Sequence, residues 1–250
     1  MKTLLTFLVC FATTALALAA NYSASEKFSQ TYPFSEKGEL SLENINGTVE
    51  IIAWDKSGIS VEAEKRAGDT DDLQKIIIHV DATPSRLAIK TEYQRTGWFG
   101  FSVKGEVRYT VKVPAGIALH KIETVNGQVT VSDVRGPVTA STVNGNINAE
   151  GLVAHTSLET VNGNISARFD EVASGQTISL KTVNGSCKLS LPSDAAAYVK
   201  AQTVNGGVNS KVPIKQDEAR RNKLHGQIGQ SPGASIEAES VNGNITLDAG

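Results

Sequence analysis

Two glutamates of a sequence repeat, Glu123 and Glu159, are the side chains whose type and spacing could support catalysis. Each stands three residues before an Asn-Gly pair in an "ETVNG" segment, and one further copy, "STVNG", separates the two segments. If the copies stack as parallel coils, the carboxylates lie two coils apart, roughly 9–10 Å by strand spacing. That approaches the ~6.5–9.5 Å between the acid and the base of an inverting glycosidase. A carbohydrate-active enzyme is therefore one hypothesis, but we favour a solvated column of surface charges.

No other group in the sequence has the pattern of a catalytic or metal site. The four histidines, at positions 79, 120, 155 and 225, show no metal-ligand spacing, and neither a phosphate-binding loop nor a nucleophile elbow is present. We therefore expect no catalytic residue, no cofactor and no metal. Cys187 replaces Val or Ile at a position that is apolar in the other repeats, which predicts a buried thiol of low reactivity.

The elements that would position these side chains are the copies of the repeat. A hydroxyl residue, Val, Asn and Gly recur in this order, about 18–22 residues apart as far as Asn205. A period near 20 is typical of stacked units that are too small to bury an apolar face alone. The structural repeat pairs are Asn126 and Gly127, Asn144 and Gly145, Asn162 and Gly163, Asn184 and Gly185, Asn205 and Gly206, and Asn242 and Gly243.

The repeat predicts an all-β protein with a β-solenoid (β-helix-like) region. In stacked coils like residues lie over like, so we expect Val and Ile columns in a dry core, Thr columns that exchange hydroxyl hydrogen bonds, and Asn columns that pair their amides. Glycine lets the chain bend where a Cβ would clash. The alternative is an antiparallel β meander of Asn-Gly hairpins with type I′ turns. We favour the solenoid because a coil closes its own core.

The chain divides into three segments with different patterns. Residues 1–20 combine Lys2, an apolar run from Leu4 to Leu18 and small residues, which predicts a secretory signal peptide. Residues 21–116 have irregular strand patterns and predict an antiparallel β region. Residues 117–250 form the predicted solenoid, with an insertion at about 213–234 whose middle could be a short helix. We expect an exported protein, in the periplasm or at the cell surface, without a transmembrane segment in the mature chain.

Composition and one aromatic cluster limit the partners. The net charge of -2 and the lack of a basic stripe argue against nucleic acid. Aromatic residues make up only 6% of the chain, yet Trp98, Phe99 and Phe101 stand together in "RTGWFGFSV". If exposed, these three rings would form a binding patch for a sugar, a lipid headgroup or a protein; if buried, they would complete the N-terminal core.

The order of these segments resembles a known bacterial family. "ETVNG", "STVNGNI" and "LETVNGNI" follow a strand that ends in "VKVPAG", with "LENINGTVEI" before and "SVNGNITL" after them. The pattern is similar to the family of β-strand-repeat domains of unknown function whose members carry a provisional adhesin label. The resemblance covers nearly all of the mature chain. It implies a β-helix-like fold on exported or envelope-associated proteins and brings no catalytic residue.

These observations favour a non-enzymatic, exported binding or scaffold protein of the adhesin type. Regular Thr, Asn and Ser columns suit a repetitive partner, such as an envelope polysaccharide or another protein. The chain ends a few residues after the last repeat. A terminal coil without a cap exposes strand edges, so we expect self-association or partner docking through the C-terminal coil, at Ile245–Leu247.

Overall fold

The computed structural model describes residues 22–94 and 103–250, which form two long β-sheets packed face to face. These residues contain 21 strands and one helix, α1 (Thr70–Gln74), which begins after the capping carboxylate of Asp69. No helix in this described part is long and apolar enough to cross a membrane. The strands are β1 (Ala24–Tyr32), β2 (Glu39–Glu43), β3 (Val49–Trp54), β4 (Ile59–Ala67), β5 (Ile76–Ala82), β6 (Arg86–Tyr93), β7 (Gly105–Pro114), β8 (Ala118–Asn126), β9 (Val129–Ser132), β10 (Val138–Asn144), β11 (Ile147–Leu152), β12 (Thr156–Asn162), β13 (Ile165–Phe169), β14 (Thr177–Asn184), β15 (Cys187–Leu191), β16 (Ala197–Asn205), β17 (Val208–Ser210), β18 (Lys215–Arg220), β19 (Lys223–Ile228), β20 (Ala234–Asn242) and β21 (Ile245–Ala249).

Seven coils form the body of the molecule. Each coil runs along one strand of the 11-stranded sheet (sheet B), turns at an Asn-Gly corner and continues along one strand of the 10-stranded sheet (sheet A). In chain order, coils 1 to 7 are β2–β3, β8–β9, β10–β11, β12–β13, β14–β15, β16–β17 and β20–β21. Adjacent coils pair in parallel with like residues opposite each other, as Asn126, Asn144 and Asn162 illustrate. The predicted solenoid is confirmed.

The alternative of type I′ hairpins is wrong for a conformational reason. A type I′ turn needs a positive φ at both central residues. Among the described non-glycine residues, only Asp133 has a positive φ, and it lies outside the corners. The asparagines therefore keep ordinary backbone angles, and the chain passes from one sheet to the other at each corner instead of folding back on the same sheet.

The N-terminal region supplies both the first coil and the strands that cover it. Asn46 and Gly47 form the corner of coil 1, which adds a seventh corner to the six predicted from the repeat. The amide of Asn126 donates to Asn46 Oδ1 across a separation of 80 residues. The predicted antiparallel strands are β1, β4 and β7 in sheet A and β5 and β6 in sheet B. In contrast, β2 and β3 pair in parallel with β8 and β9, so the sheets continue from this region into the repeat.

The C-terminal coil lies inside the stack, and the expectation of an exposed edge there is wrong. Strand β20 pairs in parallel with β14 on one side and with β16 on the other. Strand β21 likewise lies between β15 and β17. Coil 7 therefore separates coil 5 from coil 6, and the spatial order of coils is 1, 2, 3, 4, 5, 7, 6. The strand edges of Ile245–Leu247 are paired on both sides and offer no template for association.

The insertion is a β-hairpin, so the expected short helix is also wrong. Strands β18 and β19 pair antiparallel, and β19 continues sheet B beside β16. Leu224, Gly226 and Ile228 point inward while the residues between them are half-buried. This period of two fits a strand with one buried face and not a helix. The hairpin covers the end of sheet B next to coil 6.

The core between the sheets consists of aliphatic columns from both. Sheet B contributes residues such as Ile122, Leu158 and Leu180, and sheet A contributes Ile147 and Ile165, all at most 1% exposed. Cys187 is 1% exposed and occupies the same column as Ile165 and Ile245. Burial raises the pKa of its thiol to about 12, as expected for an unreactive core cysteine.

Candidate binding groove

A strip of branched aliphatic side chains runs across the outer face of sheet B. These residues precede the corner asparagines, and we call them the valine strip. Six are between 37% and 40% exposed and the seventh, in the end coil, is 66% exposed. In spatial order they are Ile45, Val125, Val143, Val161, Val183, Val241 and Val204. The seven coils extend the strip over roughly 29 Å at strand spacing. The expectation of Val and Ile columns in a dry core holds for the column of Val129, Ile147 and Ile165 but is wrong for this one.

The residue that precedes each strip valine, threonine in five coils and Ser240 in coil 7, takes the inward position instead. Thr142 and Thr160 are each 4% exposed, and their Oγ1 atoms donate to the carbonyl oxygens of Gly127 and Gly145 at 3.0 Å. The hydroxyls therefore bond to the backbone of the preceding coil rather than to one another. A buried hydroxyl needs such a partner, and the adjacent corner provides it. Strand alternation then turns the following valine outward.

The corner asparagines form a continuous ladder along one side of the strip. In each pair of adjacent coils one Nδ2 donates to the Oδ1 of its neighbour at 2.8 Å, as in Asn144 to Asn126 and Asn162 to Asn144. The predicted amide pairing is confirmed. Each bond uses one of the two amide hydrogens and one of the two oxygen lone pairs, so the exposed remainder is available to a partner. The ladder is a row of donors and acceptors beside the apolar strip.

The other side of the strip carries the column that includes the two glutamates. Glu123, Ser141 and Glu159 stand opposite one another on neighbouring strands, as the stacked repeat predicts. Lys121 Nζ lies 2.7 Å from Glu43 Oε1 and 3.3 Å from Glu123 Oε2. Glu159 is exposed and has no ion-pair partner within the described residues.

Lysine side chains near the column pair with surface carboxylates. Hydrogen bonds from lysines lower the pKa of four surface carboxyl groups, those of Asp72, Glu218, Glu237 and Asp248. Lys181 lies within 4 Å of Glu237 and Glu239 and so belongs to this surface network. We interpret the column as an ordinary charged surface.

Together, the strip and the column of the two glutamates line a groove of about 1060 Å³ along the solenoid. Both ends carry cationic side chains close to a glutamate: Lys90 of β6 stands opposite Glu43 at one end, and Arg220 and Lys223 of the β18–β19 hairpin pair with Glu218 at the other. Asn44 of coil 1 lines the groove at the position of the threonines, and its Nδ2 donates to Val107 O at 2.9 Å. The groove is therefore apolar along its length, with the glutamate column on one side and cationic side chains beside glutamates at both ends.

Sequence reasoning found the residues of this surface but placed the valines on the wrong side. The signal was present, since the residue two before each threonine is apolar in most coils, as in Ile122 and Leu158. A period of two then puts the threonine inside and the valine outside. The end residues Lys90, Arg220 and Lys223 carry no such signal, because distant segments bring them to the groove.

The aromatic patch of Trp98, Phe99 and Phe101 lies outside the described residues. Residues 22–94 and 103–250 contain no cluster of side chains that could hold a metal ion.

Comparison with known proteins agrees with the geometry. The family model described as Toastrack DUF4097 matches residues 121–248. The crystal structure of a proposed cell adhesion protein from Clostridium sporogenes is similar over 91% of this chain and 100% of its own, at 14% identity and a TM-score of 0.53. A proposed adhesin from Bacteroides fragilis covers 89% of this chain and 97% of its own, at 10% identity and a TM-score of 0.35. No curated protein matches the chain.

Proposed function

The chain belongs to the Toastrack DUF4097 family, and we propose that this member is a non-enzymatic, exported protein that binds an elongated partner through the valine strip. The observation that carries the proposal is the continuous exposure of seven aliphatic side chains along one face. Adhesion or scaffolding at the cell envelope is the role that such a surface serves best. The apolar run at residues 4–18 supports export, and the related structures are described as proposed adhesion proteins.

Burial of the strip supplies the driving force for binding. Full burial of a valine side chain contributes about 1.5–3 kcal/mol, so the exposed two-fifths of each contributes roughly 1 kcal/mol. Seven such residues in a row give a sum large enough for binding, even after the entropic cost of association. Each strip position offers a small increment, and the affinity depends on how many coils the partner spans.

The chemistry of the groove favours an extended protein segment as the partner. The groove-lining residues within the described chain include no aromatic ring against which a sugar could stack. They do include the aliphatic strip and the unpaired carboxylate of Glu159, and the asparagine ladder supplies free hydrogen-bonding groups beside the strip. A peptide with aliphatic and basic side chains matches all three. About nine extended residues would span the roughly 29 Å length.

Loss of two neighbouring strip residues should weaken this binding. The probe is a fluorescent peptide of alternating valine and lysine, and fluorescence anisotropy reports its affinity. We expect the double variant Val143→Ser and Val161→Ser to bind roughly tenfold more weakly, because it removes about 1–2 kcal/mol of apolar burial. The matched control is Asn148→Ala with Ser166→Ala on the outer face of sheet A, which should leave the affinity unchanged.

Other outcomes reassign the function. Equal peptide affinity in the strip variant and the parent protein would reject the groove. Binding of soluble envelope polysaccharides in place of the peptide, lost in the same strip variant, would keep the groove and change the class of partner. Turnover of a polysaccharide that disappears in Glu123→Gln or Glu159→Gln would establish the enzyme alternative and reject a purely binding role.

A further inference from the structure

The seven Asn-Gly corners share one sequence, but one of them lacks a hydrogen bond that the others make. In six corners the glycine N–H donates to the asparagine carbonyl oxygen of the next coil, as Gly145 does to Asn162 O at 3.0 Å. The six donors are Gly47, Gly127, Gly145, Gly163, Gly185 and Gly243. Coil 6 ends the stack, and no group in the described residues accepts from Gly206 N–H.

The side chain in that corner is also held less firmly. Asn205 Nδ2 donates to Asn242 Oδ1 at 2.8 Å, but within the described part of the chain nothing donates to Asn205 Oδ1. An interior asparagine such as Asn144 is held at both ends, because it donates to Asn126 and accepts from Asn162. The Asn205 corner therefore lacks two restraints that the interior corners have.

We propose that Asn205 is a site of spontaneous deamidation in the folded protein, while the other six Asn-Gly pairs are protected. The backbone nitrogen of Gly206 loses its proton and forms a bond to Cγ of Asn205. The bond from Cγ to the side-chain nitrogen breaks, and ammonia leaves with the proton. Water then opens the five-membered imide at either carbonyl and gives aspartate or isoaspartate. Asn-Gly pairs react fastest because glycine has no side chain to hinder ring closure.

The stack protects the other corners through the same hydrogen bonds that build it. Attack requires the glycine nitrogen to give up its hydrogen, which in six corners is bonded to the neighbouring coil. It also requires the carboxamide to turn toward that nitrogen, which breaks its bonds to the asparagines above and below. Both conditions demand that two coils separate locally in an interior corner. The Asn205 corner needs only its side-chain bond to Asn242 to break.

Deamidation would change the end of the groove next to the β18–β19 hairpin. A carboxylate cannot donate to Asn242 Oδ1, so the last step of the asparagine ladder is lost. The new negative charge lies in the end coil, beside the valine that joins Arg220 and Lys223 in lining the groove. Isoaspartate also adds a backbone methylene just before β17, whose three residues pair with β21. The modification thus acts on the terminal coil and leaves the interior coils intact.

Peptide mapping by mass spectrometry tests the proposal site by site. The folded protein is aged at mildly alkaline pH, and aspartate plus isoaspartate is measured at all seven asparagines. We expect Asn205 to react roughly tenfold or more faster than each of the other six, since the latter must also break the hydrogen bond of the glycine N–H to a neighbouring coil. In urea all seven should react at similar rates.

Two comparisons keep the result decisive. Asn205→Gln should remove the fast site without changing the rates at Asn144 and Asn162, because a glutamine side chain closes the ring far more slowly. Equal rates at Asn205 and the interior asparagines of the folded protein would overturn the proposal. Faster reaction at any interior asparagine would overturn it as well.

Discussion

Replacement of Gly163 by alanine is expected to destabilise the fold by at least about 3 kcal/mol. A Cβ at this position would lie 1.9 Å from the carbonyl oxygen of Gly145 and 2.5 Å from its carbonyl carbon. Both atoms belong to the backbone of the adjacent coil, so no side-chain movement relieves the clash. The displaced carbonyl also accepts the hydroxyl of Thr160 at 3.0 Å. Urea denaturation gives the free energy of unfolding that checks this value.

Gly207 provides a matched control in another corner. A Cβ there would have its nearest neighbours at 3.6 Å and 3.7 Å, which is ordinary van der Waals contact. Gly207→Ala should therefore change stability by no more than about 0.5 kcal/mol. A similar cost for both variants would mean that the loss comes from general flexibility. Only a large difference between them supports the close approach of stacked backbones.

Leu247→Ala is expected to cost about 3 kcal/mol, although only three residues follow it in the sequence. Its side chain is fully buried, and its strand neighbours are Leu189 in coil 5 and Ser210 in coil 6. Truncation leaves a cavity between two coils that cannot close without shifting both sheets. Urea denaturation again measures the effect.

The exposed strip residue of the end coil is the control for Leu247. Val204 is 66% exposed, so Val204→Ala should cost less than about 0.5 kcal/mol. A C-terminal coil at the open end of the stack would give a different pattern, in which Leu247→Ala is mild and mainly alters association. Equal small costs for the two variants would therefore contradict the intercalated position of coil 7.

The sequence was sufficient to predict the coils because each coil repeats the same local requirements. The hydroxyl, valine, asparagine and glycine of each corner have distinct roles, and the spacing of about 20 residues fits one coil of two strands. The seventh corner was harder to assign, because Asn46 precedes Asn126 by 80 residues that include five other strands. Its local pattern is correct, but the period is interrupted.

The order of the coils could not be predicted from the pattern. Thr182 stands opposite Ser240, and Thr203 stands opposite Ser240 on the other side, with identical registers at the neighbouring asparagines. Coil 6 has the same column residues and would fit beside coil 5 equally well. Which coil lies beside coil 5 depends on the β18–β19 hairpin, because β19 pairs with one edge of β16 and leaves the other edge to β20. This is a long-range preference with no local signal.

The length of the groove can be predicted from local sequence, whereas its ends depend on residues that are distant in the chain. Strand alternation, applied from Ile122 through Thr124, places Val125 on the outer face. The cationic side chains at its ends do not follow from the repeat, because Lys90 and Arg220 come from strands outside it. The surface can therefore be predicted along its length from the sequence, but its ends require the complete fold.

Cross-linking of paired cysteines tests most directly whether the valine strip is continuous across intercalated coils. In a background of Cys10→Ser and Cys187→Val, one protein carries Val183→Cys with Val241→Cys, and another carries Val183→Cys with Val204→Cys. The fold places the first pair on adjacent strands and the second pair two strands apart, so a thiol reagent that spans roughly 5 Å should join only the first pair. Rapid cross-linking of positions 183 and 204, with none between 183 and 241, would contradict the account.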